Sequence, residues 1–103
     1  GGLDAARALA DQGKLKEAGR LCEEHLQQHS ASAAAWYLLG TIRDAAGDRP
    51  RAAECYVKTL YLEPDHQEAL LQRALLAEQS GDATAAAQLR RRIARVQQRS
   101  APP

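Results

Sequence analysis

The sequence predicts an all-α fold made of three copies of one helix–turn–helix unit. Three series of residues carry this reading. Gly13, Gly47 and Gly81 stand 34 residues apart, as do Ala18, Ala52 and Ala86, and so do the small residues Ala6, Gly40 and Ala74. A fixed period of this length means that one structural unit is used three times, each burying an apolar face on its neighbour. Such arrays stack into a curved slab and serve mainly as binding surfaces.

The periodic glycines divide each unit into two helices. The first unit, roughly residues 1–32, places helices over 3–12 and 15–29, joined at Gly13. Gly19 lies inside the second of these and costs about 1 kcal/mol relative to alanine. This unit is therefore expected to fray first.

The middle unit, 33–66, places helices over 33–46 and 49–62. Trp36, Leu39 and Gly40 fall at i, i+3 and i+4, one helical face. Gly47 ends that helix in a left-handed cap. Asp48 follows as the N-cap, and Pro50 falls in the first turn, where a missing N–H is harmless. The second helix puts Ala52, Tyr56, Thr59 and Leu60 on one face, and Pro64 stops it. Gly40 and Ala52 are expected at the close crossing of the pair, with Trp36 and Tyr56 filling the space beside it.

The third unit, 67–100, places helices over 67–80 and 83–98. Asp65 and Glu68 have the spacing of a capping box for the first of these. The last helix carries an apolar stripe of Ala86, Leu89, Ile93 and Val96. Residues 101–103, Ala-Pro-Pro, read as a disordered tail.

Trp36, Leu39, Gly40, Gly47, Ala52, Tyr56 and Pro64 together resemble the tetratricopeptide repeat (TPR) pattern. The middle unit matches best, with Thr59 and Arg43 as departures. The first unit lacks the tryptophan and the proline, and the third has Leu70 in the tryptophan place. The resemblance covers nearly the whole chain as one domain, and it implies a short right-handed superhelical solenoid. In such arrays the first helix of each unit lines the inner surface.

Composition and charge narrow the function classes. One domain of 103 residues fits three repeats, and no apolar run approaches the ~20 residues needed to cross a membrane. The chain has no methionine, so it is expected to be a piece of a larger protein, with Gly1-Gly2 as linker or a cloning remnant. Residues 1–82 hold nine Lys/Arg and thirteen Asp/Glu, whereas 83–103 hold five arginines and no acid. The result is a dipolar molecule with a basic last helix.

Arg90, Arg91, Arg92, Arg95 and Arg99 decorate that helix. One reading is a solvated cap on the array, since Arg90 takes the place Tyr56 has in the middle unit. The other is a basic patch of Arg91, Arg92, Arg95 and Arg99 for an acidic protein surface. Nucleic acid is disfavoured, because the helix has no aromatic stacking partner.

Cys22, His25 and His29 share one helical face. A single helix rarely closes a tetrahedral metal site, and Cys22 falls at the buried aromatic place of its unit, where free cysteine acts as a small hydrophobe. No metal and no cofactor are expected. A Cys22–Cys55 disulfide is disfavoured in a helical domain expected in the cytoplasm. With neither a nucleophile constellation nor a phosphate loop, the fragment is expected to be non-catalytic.

The remaining candidate is a protein- or peptide-binding groove on the inner surface. Helical phase assigns Leu3, Arg7 and Asp11 to it from the first unit. The second gives Ala34, Tyr37, Leu38, Thr41 and Asp44. The third gives Glu68, Leu71, Gln72, Leu75 and Glu78. Arg7, Tyr37, Thr41, Asp44, Gln72 and Leu75 are the residues expected to contact the bound protein or peptide. Tyr37 reads either as an exposed contact residue or as packing against the next unit. The chaperone-tail clamp of some TPR proteins is absent: its places hold Leu3, Arg7, Leu38, Glu68 and Gln72, and Glu68 would repel a carboxylate.

A narrower resemblance lies in Ala35-Trp36-Tyr37-Leu38-Leu39-Gly40, Arg43-Asp44-Ala45-Ala46-Gly47-Asp48 and Leu60-Tyr61-Leu62-Glu63-Pro64-Asp65-His66. Tyr61 stands where general TPRs most often carry a polar residue. These stretches resemble the C-terminal TPR module of bacterial chemotaxis-type receptor glutamate methyltransferases, including members of biofilm pathways. The resemblance implies a docking or regulatory role, with the cytoplasmic domain of a chemoreceptor as partner. A monomer is expected on other grounds, since the arginine-rich last helix would set like charges face to face across a two-fold interface. The competing expectation is an assembly scaffold of a pilus, secretion or envelope system.

Overall fold

A computed structural model describes residues 2–102. Six helices follow one another: α1 (Gly2–Asp11), α2 (Leu15–Gln28), α3 (Ala33–Ala45), α4 (Arg49–Leu62), α5 (Gln67–Gln79) and α6 (Ala83–Ser100). They pair as three hairpins, α1 with α2, α3 with α4 and α5 with α6, and each hairpin stacks on the next through α2–α3 and α4–α5. The stack measures 38 × 34 × 22 Å. Among the described residues there is no strand, and the fold is the all-α TPR solenoid.

Local chemistry sets the turns. Gly13, Gly47 and Gly81 adopt φ of +79°, +85° and +81°, a left-handed conformation that costs a side-chain-bearing residue dearly. Each closes the same two-bond helix end. Lys14 N donates to Leu9 O at 2.9 Å, Asp48 N to Arg43 O at 2.9 Å and Asp82 N to Ala77 O at 2.8 Å. The glycine N–H of each turn donates to Ala10, Asp44 or Glu78. These closures use the residue before the glycine as the cap, so α1, α3 and α5 stop one residue before the expected ends. α2 also ends a residue early, at Gln28, while α6 runs two residues past 98.

Among the described residues, helix starts are capped by side chains in four cases. The Ser32 hydroxyl accepts from Ala35 N at 3.1 Å, Asp48 from Arg51 N at 3.3 Å and Asp82 from Ala85 N at 3.1 Å. At α5 the expected Asp65–Glu68 capping box does not form. His66 is the N-cap, its Nδ1 accepting from Ala69 N at 3.1 Å. His66 is the last residue with extended backbone before α5, so Asp65 lies one position too early. Its carboxylate instead meets Arg99.

Two apolar clusters form the core. One gathers Ala6, Ala18, Cys22, Leu26, Ala35, Leu38, Leu39, Ile42 and Cys55. The other gathers Leu60, Ala69, Leu70, Ala74, Leu89 and Val96. Tyr56 is fully buried, and it sits on Gly40: a Cβ there would lie 2.5 Å from Tyr56 Cε1 and 3.1 Å from Cys55 Cβ. The α3–α4 crossing therefore depends on a hydrogen atom at position 40. Trp36 is only half-buried at its margin, and its indole N–H donates to Ser30 O at 2.9 Å. Gly2 opens α1 rather than serving as linker, and Gly1 lies outside the described residues. Of the expected tail, Ala101 and Pro102 follow the helix exposed, and Pro103 lies outside the described residues.

Candidate protein-binding surfaces

The repeat period sorts the inner-helix residues into rows. Leu3, Tyr37 and Leu71 share one repeat position, and Arg7, Thr41 and Leu75 share another. In the first row Leu3 packs on the first core cluster and Tyr37 on the second, so both serve the joint to the following unit. Leu71, in the last unit, remains 38% exposed.

Tyr37 is thus a stacking residue. Its ring centroid lies 5.7 Å from that of Tyr56 and 4.9 Å from that of His66. Burial pushes its hydroxyl pKa up and the Glu68 carboxylate adds to this, while a hydrogen bond with Gln72 opposes it. Gln72 of α5 therefore lies beside the Tyr37 hydroxyl of α3, where the second and third units meet. Asp44, half-buried, is the carboxylate that bears on the Tyr56 hydroxyl. That hydroxyl is buried and has no hydrogen-bond partner among the described residues. Leu38, expected on the inner surface, belongs to the first core cluster instead, because α3 turns it with Leu39 and Ile42 onto the first hairpin.

The second row is more open. Arg7 is exposed beside Asp4, with 3.6 Å between their charged atoms. Thr41 spends its hydroxyl on Leu38 O at 2.8 Å. Leu75 is 36% exposed. Among the described residues assigned to the inner surface, the large apolar side chains left exposed are Leu71 and Leu75 on α5, with Asp44, Glu68 and Glu78 as the acids assigned around them.

The basic helix divides. Arg92 Nη2 donates to Pro64 O at 3.1 Å and Arg99 Nη2 to Asp65 Oδ1 at 2.8 Å. Arg90 pairs with Glu78 at 3.0 Å. These three tie α6 to the rest of the array. Arg91 and Arg95 are exposed and make no ion pair among the described residues.

Cys22 is fully buried, and burial is the main force lifting its thiol pKa to about 11. His25 and His29 stack on each other at 4.6 Å. Among the described residues no three His, Cys, Asp or Glu side chains converge to hold a metal ion. Cys55 is also a buried free thiol, and it accepts a 3.2 Å contact from Arg43 Nη1. Arg43 Nη2 lies 3.8 Å from Glu23 Oε1, so this departure from the aromatic preference links α2, α3 and α4 through a charged group.

The sequence reading missed the outward face of α4. Val57 is 49% and Tyr61 79% exposed. Lys58 Nζ lies 5.8 Å from the Trp36 ring centroid and 5.6 Å from that of Tyr61. The available signal was Val57 and Tyr61 at i and i+4, off the buried stripe of Ala52, Tyr56, Thr59 and Leu60.

No protein-family model matches the chain. The chain is 42% identical over 95 residues to the probable biofilm formation methyltransferase WspC of Pseudomonas aeruginosa, covering 92% of this chain and 22% of that protein. It is 41% identical over 87 residues to the protein of the same description from Pseudomonas putida, covering 84% of this chain and 20% of that one. The chain thus spans about a fifth of the length of these curated relatives. Among solved structures, MamA residues 41 to the end from Desulfovibrio magneticus RS-1 superimposes with a TM-score of 0.92 at 19% identity, over 98% of this chain and 57% of that one. At that identity the likeness is one of fold.

Proposed function

We propose, on the premise that the chain is a TPR domain similar to a segment of biofilm formation methyltransferases, that it is a non-catalytic docking module. In this reading it is the C-terminal regulatory part of a chemotaxis-type protein-glutamate O-methyltransferase. It brings the enzyme to a receptor signalling complex, and the cytoplasmic domain of a chemoreceptor is its partner. Methyl-donor binding and transfer belong to a separate catalytic domain.

The observation that carries the reading is the 42% identity across 92% of the chain. The inner surface supports the docking part. Leu71 and Leu75 leave an apolar pair open on α5, and Arg7, Thr41 and Asp44 extend the surface across the earlier units. An apolar centre with a polar margin is the general pattern of a protein contact.

The test uses the parent enzyme with and without residues 1–103, and with Leu75→Glu. Methyl transfer to a receptor cytoplasmic domain is measured for rate, affinity and receptor choice. The docking role requires a weaker apparent affinity in both altered enzymes. Identical values in all three would sink it.

A further inference from the structure

We propose that the outward side of α4 and α6 is a second docking surface, for an acidic amphipathic segment of a partner protein. It is independent of the inner-surface reading.

The surface is built by the repeat. Val57 and Tyr61 on α4 recur one period later as Arg91 and Arg95 on α6. Residues at equivalent places project in equivalent directions, so the aliphatic–aromatic pair and the two arginines share one side of the stack. Two contacts hold α6 to the turn that follows α4, Arg92 to Pro64 O at 3.1 Å and Arg99 to Asp65 at 2.8 Å. Tyr61 lies three residues before Pro64, and Arg95 three after Arg92.

The chemistry selects the partner. Tyr61 at 79% and Val57 at 49% exposure are large apolar groups that the fold itself leaves uncovered. Between them stands Lys58, bracketed by the Trp36 and Tyr61 rings at 5.8 and 5.6 Å and without a carboxylate partner among the described residues. Arg91 and Arg95 likewise make no ion pair among the described residues. Cations held near aromatic rings are positioned rather than free to wander, and tyrosine and arginine are the side chains that anchor protein contacts. A helix with leucines at i and i+4 and glutamates beside them satisfies both parts: the leucines cover Val57 and Tyr61, and the carboxylates meet Lys58, Arg91 and Arg95.

A nucleic-acid backbone fits less well. Glu54 stands one helical turn before Lys58, and Glu63 follows Tyr61. Both are exposed and interrupt the basic track that phosphates require.

The experiment titrates the 103-residue chain with a synthetic acidic helical peptide carrying leucines at i and i+4, following the emission of Trp36, the sole tryptophan. Tyr61→Ala should weaken binding about tenfold, and the double variant Arg91→Glu/Arg95→Glu at least as much. Leu75→Glu should leave it unchanged, and affinity should fall with added salt. Circular dichroism confirms that the variants stay folded, and Lys58→Gln supplies an independent charge variant. The proposal is overturned if the peptide does not bind, or if Tyr61→Ala and the charge variants bind like the parent. It is also overturned if Leu75→Glu abolishes binding, or if single-stranded oligonucleotide or anionic lipid vesicles displace the peptide from the same residues.

Discussion

Arg99 reaches Asp65 across one full repeat, 34 residues, with 2.8 Å between Nη2 and Oδ1. The contact fastens the last helix to the turn ahead of α5, and it occupies the carboxylate that local spacing assigns to capping.

That pair is well formed but open to solvent, with 60% and 65% of the two side chains exposed. A double-mutant cycle of Asp65→Ala and Arg99→Ala should give a coupling of about 0.2–1 kcal/mol. Urea unfolding at low and high salt checks this, and the coupling should shrink with salt.

Two glycines in helices should respond oppositely to alanine. At Gly40 the new methyl group would lie 2.5 Å from Tyr56 Cε1 and 3.1 Å from Cys55 Cβ, so the crossing must open. Overpacking of this kind costs about 1–3 kcal/mol, which exceeds the helix-propensity gain of about 1 kcal/mol. At Gly19 the nearest atom is Ile42 Cγ2 at 3.8 Å, ordinary contact, so Gly19→Ala should stabilise by about 0.5–1 kcal/mol. Midpoints of chemical unfolding decide both signs.

Tyr56→Phe should leave stability unchanged or raise it by up to about 1 kcal/mol. The hydroxyl is buried without a hydrogen bond among the described residues, so its removal releases a desolvated polar group. A loss above about 1 kcal/mol would mean that the hydroxyl has a partner in solution.

Stability should decline on the alkaline side. Burial raises the pKa values of the Cys22, Cys55, Tyr37 and Tyr56 acids, Cys22 from 9.0 to about 11. Below about pH 8 these groups are largely protonated in both states and contribute little pH dependence. Above it the unfolded chain sheds thiol protons first and phenolic protons from about pH 10, while the native state keeps them. The unfolded state then binds fewer protons, and the free energy of unfolding falls as pH rises. Unfolding at pH 7, 9 and 10.5 measures the slope, and Cys22→Ala should flatten its first part.

Leu75→Glu should not disturb the fold, because Leu75 is already 36% exposed. The loss of stability, read from the thermal midpoint, should stay within about 1–2 kcal/mol, the transfer cost of the covered part of the leucine. A large drop would place Leu75 in the core and remove it as a docking residue.

The architecture was legible wherever it depends on local chemistry. The glycine series announces three turns because left-handed backbone is a property of single residues. Asp48 caps α4 for an equally local reason. The capping box at Asp65 failed although its spacing was right, since the helix starts after His66. Leu38 and Tyr37 show the same limit: helical phase says which way a side chain leaves its helix, but not what lies there.

By itself the sequence determined six helices, their order, their turns and the small residues at the α3–α4 crossing. It did so because period, cap and glycine conformation act within a few residues of chain. Only the tertiary structure decided that Tyr37 belongs to the joint with Tyr56 and His66. It also decided that Arg92 and Arg99 are spent on α6 anchoring while Arg91 and Arg95 are not, and that Lys58 stands between Trp36 and Tyr61. These depend on how one hairpin is rotated on the next, which is fixed by packing summed over many distant contacts.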